Sequence, residues 1–569
     1  MAILVLAVVV GIAFWLNRRY SEPGAAPAEV GAVGWAAAMR WTTVRPLARA
    51  DAGRLLRHPS FLVGAVLTPL MIVAAIGGEP DSSWLRASTS IALALVPLGW
   101  ATIIAANLVA LRPRRTGADE LLSAAPSPQP VRSVALMLSA IPAATVAAVL
   151  AAGTMVFVGR SHHFSGSFLA AEAAAGLLIV AGSVVVGVGV ARWLPHLGFG
   201  ILAAAATAVI QARFFELDAW PWHRSQADPL RFLAFLAEPT SVDLPVLEVR
   251  HAGWHLAYLA GLVLVMAGVA LARNGVPRPL GALLGATVVV TAAAGWAQLR
   301  PPGEERMAEM ISYITDPVSH QTCTQDATVR YCAPPEEAGR VADWRDRVTG
   351  VQALLPPPVA ARTLRVTYRP PTVIGNSDCA PQPFFDGLHP AVADKVAAAD
   401  VWPDDGAVHP GTPRFPCGGS LTQEFFTAVQ VGAWAVDLPP SPHHLDVRCS
   451  ATGQARAVAA LWLGAAATPD GAQTLRALVA EPTDVPGLLT FAGWNDPPMW
   501  GVRFAAADAE LALRLLEMPK EQVAEALAGA WDEVVAPATT SAELARLVGL
   551  TPPVAGAPGH RTGAGPACP

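Results

Sequence analysis

The side chains in this chain that could do chemistry are few and unevenly placed. All six cysteines, Cys323, Cys332, Cys379, Cys417, Cys449 and Cys568, fall in the last half of the sequence. An even number confined to one region reads as a disulfide framework formed in an oxidising compartment. Zinc is the competing use of thiolates, but no pair has the close CxxC spacing that structural zinc sites favour. Disulfides are therefore expected, and no metal site. Cys323 and Cys332 flank the stretch TQDATVRY and could close a local hairpin. Six cysteines allow about 15 pairings, so the other links stay open.

Other reactive patterns are thin. A Walker A loop needs GxxxxGK[ST], because its lysine neutralises nucleotide phosphates. The only lysines are Lys395 in AVADKVAA and Lys520 in EMPKEQ, and glycine precedes neither. The chain is expected to carry no ATP site, no cofactor and no catalytic residue, since HExxH and GxSxG are absent too. The adjacent pairs His162–His163 and His443–His444 read as solvated loops rather than metal ligands. Glu172 differs, because it lies inside an apolar run where a carboxylate is expensive and marks function by default. It is four residues from the outer end of that run, so it could also reach the lipid headgroups.

The elements that must position these residues belong mostly to a membrane. Of 569 residues, 53% are hydrophobic and 15% charged, against about a quarter charged in soluble domains. The net charge of −5 gives no reason to expect a nucleic-acid partner. A span needs about 20 apolar residues, and eight stretches approach that length: Met1–Leu16, Phe61–Gly78, Ile91–Leu111, Val134–Val158, Phe168–Val190, Leu194–Ala212, Trp254–Leu271 and Leu280–Leu299. The first is short, and Pro195 and His196 open the sixth. Arginines crowd alternate connections: Arg18 to Arg57, then Arg112, Arg114, Arg115 and Arg132, then Arg192, then Arg273 and Arg278. Short cytoplasmic loops accumulate such charge, so both termini are expected outside, together with the cysteines. Met1–Leu16 lacks a basic n-region and reads as a helix inserted N-terminus outward. A signal peptide, or a natural start upstream of Met1, is the alternative.

After Arg300 the character changes. Residues 301–569 are rich in proline joints such as LLPPPVAAR and DLPPSPHHLD, and read as a mainly helical extracytoplasmic domain with minor β structure. In PEEAGRVADWRDRVTGVQALLP, Val341, Trp344, Val348 and Val351/Leu354 fall at helical spacing. LTQEFFTAVQVGAWAVD, ARAVAALWLGAAA, AELALRLLEMPKEQVAEALAGAWDEVV and SAELARLVGL read the same way. RTLRVTYRP is the best strand, since Leu364, Val366 and Tyr368 alternate with polar neighbours. Gly281 and Gly285 form a GxxxG in the last span, a pattern of close helix contact.

Two amphipathic elements flank the spans. In VRPLARADAGRLLRHPS, Val44, Leu47/Ala48, Ala52 and Leu55/Leu56 share one face, opposite Arg45, Arg49, Asp51, Arg54 and Arg57, as in helices that lie in the interface plane. In RRTGADELLSAAP, Thr116 with Asp119 reads as a capping box. There Ala118, Leu121, Leu122 and Ala125 form an apolar face, and Pro126 stops the helix.

In order and topology these features resemble the permease subunits of type-2 ABC exporters. The resemblance covers residues 46–275. It implies an elbow helix at 44–57 (Leu47, Arg54, Leu55, Leu56, Arg57) and six spans from Phe61 to Leu271. It also implies a coupling helix at 117–125 (Gly117, Ala118, Asp119, Glu120, Leu121, Leu122) and an outer loop at 213–253. The chain departs from the family in its segment 1–45, its additional span at 276–300 and its domain at 301–569. The fold so implied is an all-α polytopic protein of about eight transmembrane helices in a bacterial cytoplasmic membrane. ATP and Mg would be bound by a separate ATPase subunit, and a second permease half, identical or sister, completes the transporter. The exported molecule would be a small molecule, lipid or peptide. Two alternatives stand beside it: a membrane-anchored extracytoplasmic binding or sensing protein, and, with less support, a membrane-bound hydrolase.

Overall fold

The computed structural model describes residues 41–76, 84–118, 129–160, 164, 166–212, 233–235, 251–273, 278–300, 303–368, 373–375, 381–383, 406–410, 423–438, 449–480, 502–552 and 567–568. They fall into two compact units. The first takes in Met1–His163, Phe168–Thr240 and Val249–Pro301, and the second takes in the remainder.

The first unit is helical because a bilayer offers no water to backbone polar groups, so each span must satisfy its own. Its described elements are α1 (Trp41–Leu56), α2 (Pro59–Ile76), α3 (Trp84–Ala94), α4 (Val96–Arg115), α5 (Gln129–Met137), α6 (Ala140–Val158), α7 (Ala170–Trp193), α8 (Gly198–Ala212), α9 (Ala252–Ala272) and α10 (Arg278–Gln298). α3 and α4 run on as one span interrupted at Leu95, where Pro97 has no N–H to return to Leu93. α5 and α6 are interrupted at Leu138–Ser139 for the same reason, through Pro142. Six helices among the described residues are then long and apolar enough to cross a membrane.

Six of the eight expected stretches thus correspond to such helices among the described residues. Met1–Leu16 lies outside the described residues. The Leu194–Ala212 stretch yields only the 15-residue α8, about 22 Å of helix against about 30 Å of hydrocarbon. Its start shifts inward because Leu194 precedes Pro195 and leaves the helical region, at φ −126° and ψ 77°, as pre-proline residues tend to do.

The centre of this unit is α4 against α7. The α3–α4 span is 67% buried within the protein and α7 56%, whereas α10 is 17% buried. Gly187 sets the close approach: a Cβ there would stand 2.5 Å from the Ile103 carbonyl oxygen, so only glycine lets the two backbones meet. The GxxxG of α10 does not work this way, since a Cβ on Gly285 would meet nothing. The α9–α10 contact is made instead by Gly261 of α9 against Thr291.

The second unit is mainly helical with short strands. β1 (Thr322–Asp326) and β2 (Val329–Ala333) pair antiparallel with Cys323 opposite Cys332, and the two are disulfide-bonded. β2 also pairs in parallel with β3 (Leu364–Thr367). Parallel neighbours need a crossover, and α12 supplies it at Val341–Gln352, after α11 (Glu304–Thr315). Trp344, Val348 and Val351 are buried along α12, as their spacing predicts. Two further strands are β4 (Val373–Gly375) and β5 (Pro381–Pro383). α13 (Gln423–Ala435) leads to β6 (Cys449–Ser450) and α14 (Ala455–Ala466). α14 is buried from Ala455 to Ala465, so its apolar sequence is that of a core helix, and 12 residues are too few to span. α15 (Gly471–Ala480), β7 (Val502–Arg503), α16 (Ala506–Leu516), α17 (Lys520–Gly529), α18 (Trp531–Val535) and α19 (Ser541–Leu547) complete the unit. β6 and β7 pair in parallel.

Candidate functional site

The arginine-rich end of the first unit is built around α1. Val44 is buried with Val131 and Ala135 of α5, and Leu47 and Ala48 pack against them. Leu55 is fully buried, Leu56 half-buried, and Arg45, Arg49, Arg54 and Arg57 exposed. The amphipathic face read from the sequence is therefore the buried face. Arg54 reaches back to Asp51 at 3.0 Å, an exposed pair of small energetic value. Trp193 Nε1 donates to the Val269 carbonyl at 3.0 Å, and Arg273 donates to the carbonyls of Arg192 and Trp193. Arg273, one of the arginines read as topology signals, thus also ties α9 to the end of α7.

Thr116 is the C-cap of α4. Its hydroxyl donates to the Arg112 and Pro113 carbonyls, 3.1 and 3.2 Å away. Gly117 takes φ +68°, Gly117 N–H reaches Arg114 O and Ala118 N–H reaches Pro113 O. These two bonds around a left-handed glycine form a Schellman motif that closes α4. Gly117 and Ala118 thus belong to the end of α4, and Asp119, the other half of the capping box expected at Thr116, lies outside the described residues. Asp119, Glu120, Leu121 and Leu122 lie outside the described residues, and α5 begins ten residues beyond Asp119, at Gln129.

Buried polar groups gather at the opposite end. Ala175 of α7, Tyr258 and Leu259 of α9, Ala294 of α10 and Leu233 form one apolar cluster. One helical turn beyond it on each helix stand Glu172, His255 and Gln298, exposed by 1%, 1% and 3%. Glu172 is therefore enclosed by protein rather than extended to headgroups, in the first turn of α7, where the helix dipole favours a carboxylate. His255 Nδ1 is 2.9 Å from Gln298 Oε1, and its Nε2 is 3.1 Å from the Phe235 carbonyl. The sequence reading passed over His255 and Gln298, although each is polar inside an apolar run, the same signal that marked Glu172. Of the outer loop 213–253, Leu233–Phe235 and His251–Gly253 are described.

In the second unit the cysteines lock the chain end. Cys449 is bonded to Cys568 across 119 residues, and Cys568 N–H donates to Ser450 O at 3.0 Å. Arg456, 1% exposed, donates to Cys568 O at 2.7 Å and to Gln454 Oε1 at 2.8 Å. Asp508 accepts from Gly453 N–H at 2.9 Å, holding a turn in which Gly453 takes φ +75°. Burial pushes the Asp508 carboxyl up to about 7, against hydrogen bonds from Gly453, Ala505 and Ser541 that lower it. Cys379 and Cys417 lie outside the described residues, as do His162, His163, His443, His444 and Lys395. Lys520 caps a neighbour, donating to Ala466 O at 2.8 Å.

Serine–histidine contacts occur at His58–Ser60 and Ser312–His320, 2.7 and 2.8 Å. Each joins residues on either side of a single turn, where it holds a helix end. Among the described residues no three His, Cys, Asp or Glu side chains gather as metal ligands. No protein-family model matches this chain, and no curated protein or solved structure matches it significantly.

Proposed function

We propose that this chain is a permease subunit of an ABC exporter. A separate ATPase would supply the work, and a second permease half, identical or sister, would complete the pathway. The observation that carries the reading is the seating of α1 along α5 through Val44, Val131 and Ala135. An amphipathic helix on the arginine-rich side grips the first element after residues 119–128. Force applied at Asp119 and Glu120 would therefore reach both α1 and the α5–α6 span. In this mechanism ATP-driven closure of the ATPases pushes the 119–125 segment, and the spans move as rigid bodies to alternate access. Substrate would be a small molecule, lipid or peptide. The second unit, cross-linked as an extracytoplasmic domain would be, receives it or hands it on.

The test is co-purification. Changing Asp119 and Glu120 to arginine is expected to abolish association with the ATPase while leaving the protein folded in the membrane. Unchanged association and export would end the permease reading and favour a membrane-anchored binding protein.

A further inference from the structure

The side of α1 turned away from α5 is lined with positive charge that no acid answers. Trp41, Arg45 and Arg49 follow at i, i+4 and i+8 and are all exposed, Trp41 by 61%. Arg57 stands at the end of the same exposed side. Like charges one turn apart destabilise a helix on its own, a cost that the seating of Val44 against α5 must carry. Asp51, the one carboxylate among the described residues at this end, is engaged by Arg54 at 3.0 Å. Arg45, Arg49, Arg57 and the exposed Arg115 at the end of α4 meet no carboxylate among the described residues. In the second unit Arg306, Arg345 and Arg362 are as open to solvent, yet each meets a carboxylate, at 2.8, 2.7 and 2.7 Å. His58, between α1 and α2, registers the surplus. Burial first, and the Arg115 guanidinium second, hold it below the usual histidine range. Arg115 therefore stands near the end of α1, adding its charge to that of Arg57.

We propose that α1 carries a binding surface for the phosphates of anionic phospholipids, formed by Trp41, Arg45, Arg49 and Arg57 together with Arg115 of α4. A guanidinium fork offers paired N–H donors to two phosphate oxygens, and a tryptophan ring sits well at the level where headgroups meet acyl chains. The depth agrees. α2 begins at Pro59, two residues after Arg57, and Leu62, Val63 and Val66 on it are exposed by 51%, 59% and 63%. Only 28% of that apolar helix is buried within the protein, so its open side belongs to lipid, and Arg57 lies about one and a half turns away. Orienting a span needs only arginine somewhere in a short connection. These arginines are lined along the open side of one seated helix and left without acids. An acidic protein surface would match the charge, but not the continuity with the lipid-facing side of α2. The inference holds whether or not the chain is a permease.

The experiment measures which lipid the protein keeps. The full chain, immobilised in detergent micelles, is equilibrated with equal amounts of phosphatidylglycerol and phosphatidylcholine, washed, and its retained lipid quantified. Phosphatidylglycerol is expected to be enriched about tenfold, since each arginine near a membrane surface favours anionic lipid. Arg45→Gln, Arg49→Gln and Arg57→Gln together should bring the ratio close to one. Arg330→Gln, Arg476→Gln and Arg546→Gln, which remove the same charge from exposed sites of the second unit, should leave it unchanged. No enrichment in the wild type overturns the proposal, and so does an equal loss in both triple variants. Displacement of the lipid by excess glycerol phosphate would mark a soluble-phosphate site and overturn the lipid assignment. An acidic protein that co-purifies through these arginines, with no lipid preference, would overturn it in favour of a protein partner. If the first variant fails to fold, salt decides on the wild type. Raising ionic strength from about 0.1 M to about 1 M shortens the screening length from about 10 Å to about 3 Å and should abolish the enrichment, and an unmoved ratio refutes the surface.

Discussion

Replacing Cys449 and Cys568 by serine should weaken the second unit far more than replacing Cys323 and Cys332. In the chain-entropy account, a cross-link stabilises by an amount that grows with the logarithm of the loop it closes. The Cys449–Cys568 loop spans 119 residues, which gives about 5 kcal/mol at room temperature. Cys323–Cys332 spans 9, which gives about 2.5 kcal/mol by the same relation. A difference of about 2 kcal/mol is roughly thirtyfold in an opening equilibrium. The structure adds a second term of the same sign. When the tether is cut, Arg456 loses its acceptor at Cys568 O, and an orphaned buried donor costs about 1–3 kcal/mol. Cys323 and Cys332 already face each other in a paired hairpin, so their removal strands nothing comparable. The assay is amide hydrogen exchange read by mass spectrometry on α14, in the full chain in nanodiscs. α14 is buried throughout and should exchange only when the unit opens. Protection there is expected to fall at least thirtyfold further in the Cys449/Cys568 pair variant. Equal loss in both variants, or a greater loss for Cys323/Cys332, would refute the reasoning.

Three other outcomes follow from the packing. The Asp508 carboxyl titrates near 7 when folded, above its ordinary value near 3.9. It therefore adds stability in full below about pH 3.9 and loses it as pH rises through about 7, a span of order 4 kcal/mol. Asp508→Asn should flatten that part of the pH profile of α14 protection, and an unchanged profile would show that the carboxyl is not titrating there. Gly187→Val places a branched side chain 2.5 Å from the Ile103 carbonyl and should drive α4 and α7 apart, read as loss of folded protein in a detergent-stability assay. Arg340 and Glu337 form an ion pair at 2.8 Å, exposed by 5% and 0%. Arg340→Ala leaves a buried carboxylate behind and should cost about 3–5 kcal/mol, while Glu337→Leu with Arg340→Met should recover most of it.

How much of this was legible in the sequence depended on whether one residue's own neighbours settled its fate. Apolar length found five of the six spans with their ends within a few residues, because a span's backbone bonds are all its own. The α5–α6 span was found too, but its break was not read, since Pro142 acts on a carbonyl four residues upstream. Thr116 shows how one residue supports two local readings. A threonine three residues before an aspartate fits a helix start, and a threonine followed by glycine fits a helix end; the described residues show the end, where the arginine-flanked helix had carbonyls to close. The parallel pairing of β2 with β3 was beyond local pattern altogether, since two short strands 30 residues apart carry no mark of each other. Singly both were legible, β3 through Leu364, Val366 and Tyr368, and β2 through the cysteines that close the β1–β2 hairpin.

The polar layer is the most instructive case. Glu172 drew attention because charge in an apolar run is conspicuous, and His255 and Gln298 did not because each is neutral in its ordinary state. What gives these residues meaning is their registration on α7, α9 and α10 around Ala175, Tyr258 and Ala294, a three-helix relation that no single segment encodes. The same logic separates the two ends of the unit. The arginine-rich end was legible as charge and amphipathic spacing, and α1 lies where that spacing puts it. The opposite end is held by buried hydrogen bonds between distant segments, and His255 makes two of them, to Gln298 and to the Phe235 carbonyl, which the sequence left unmarked.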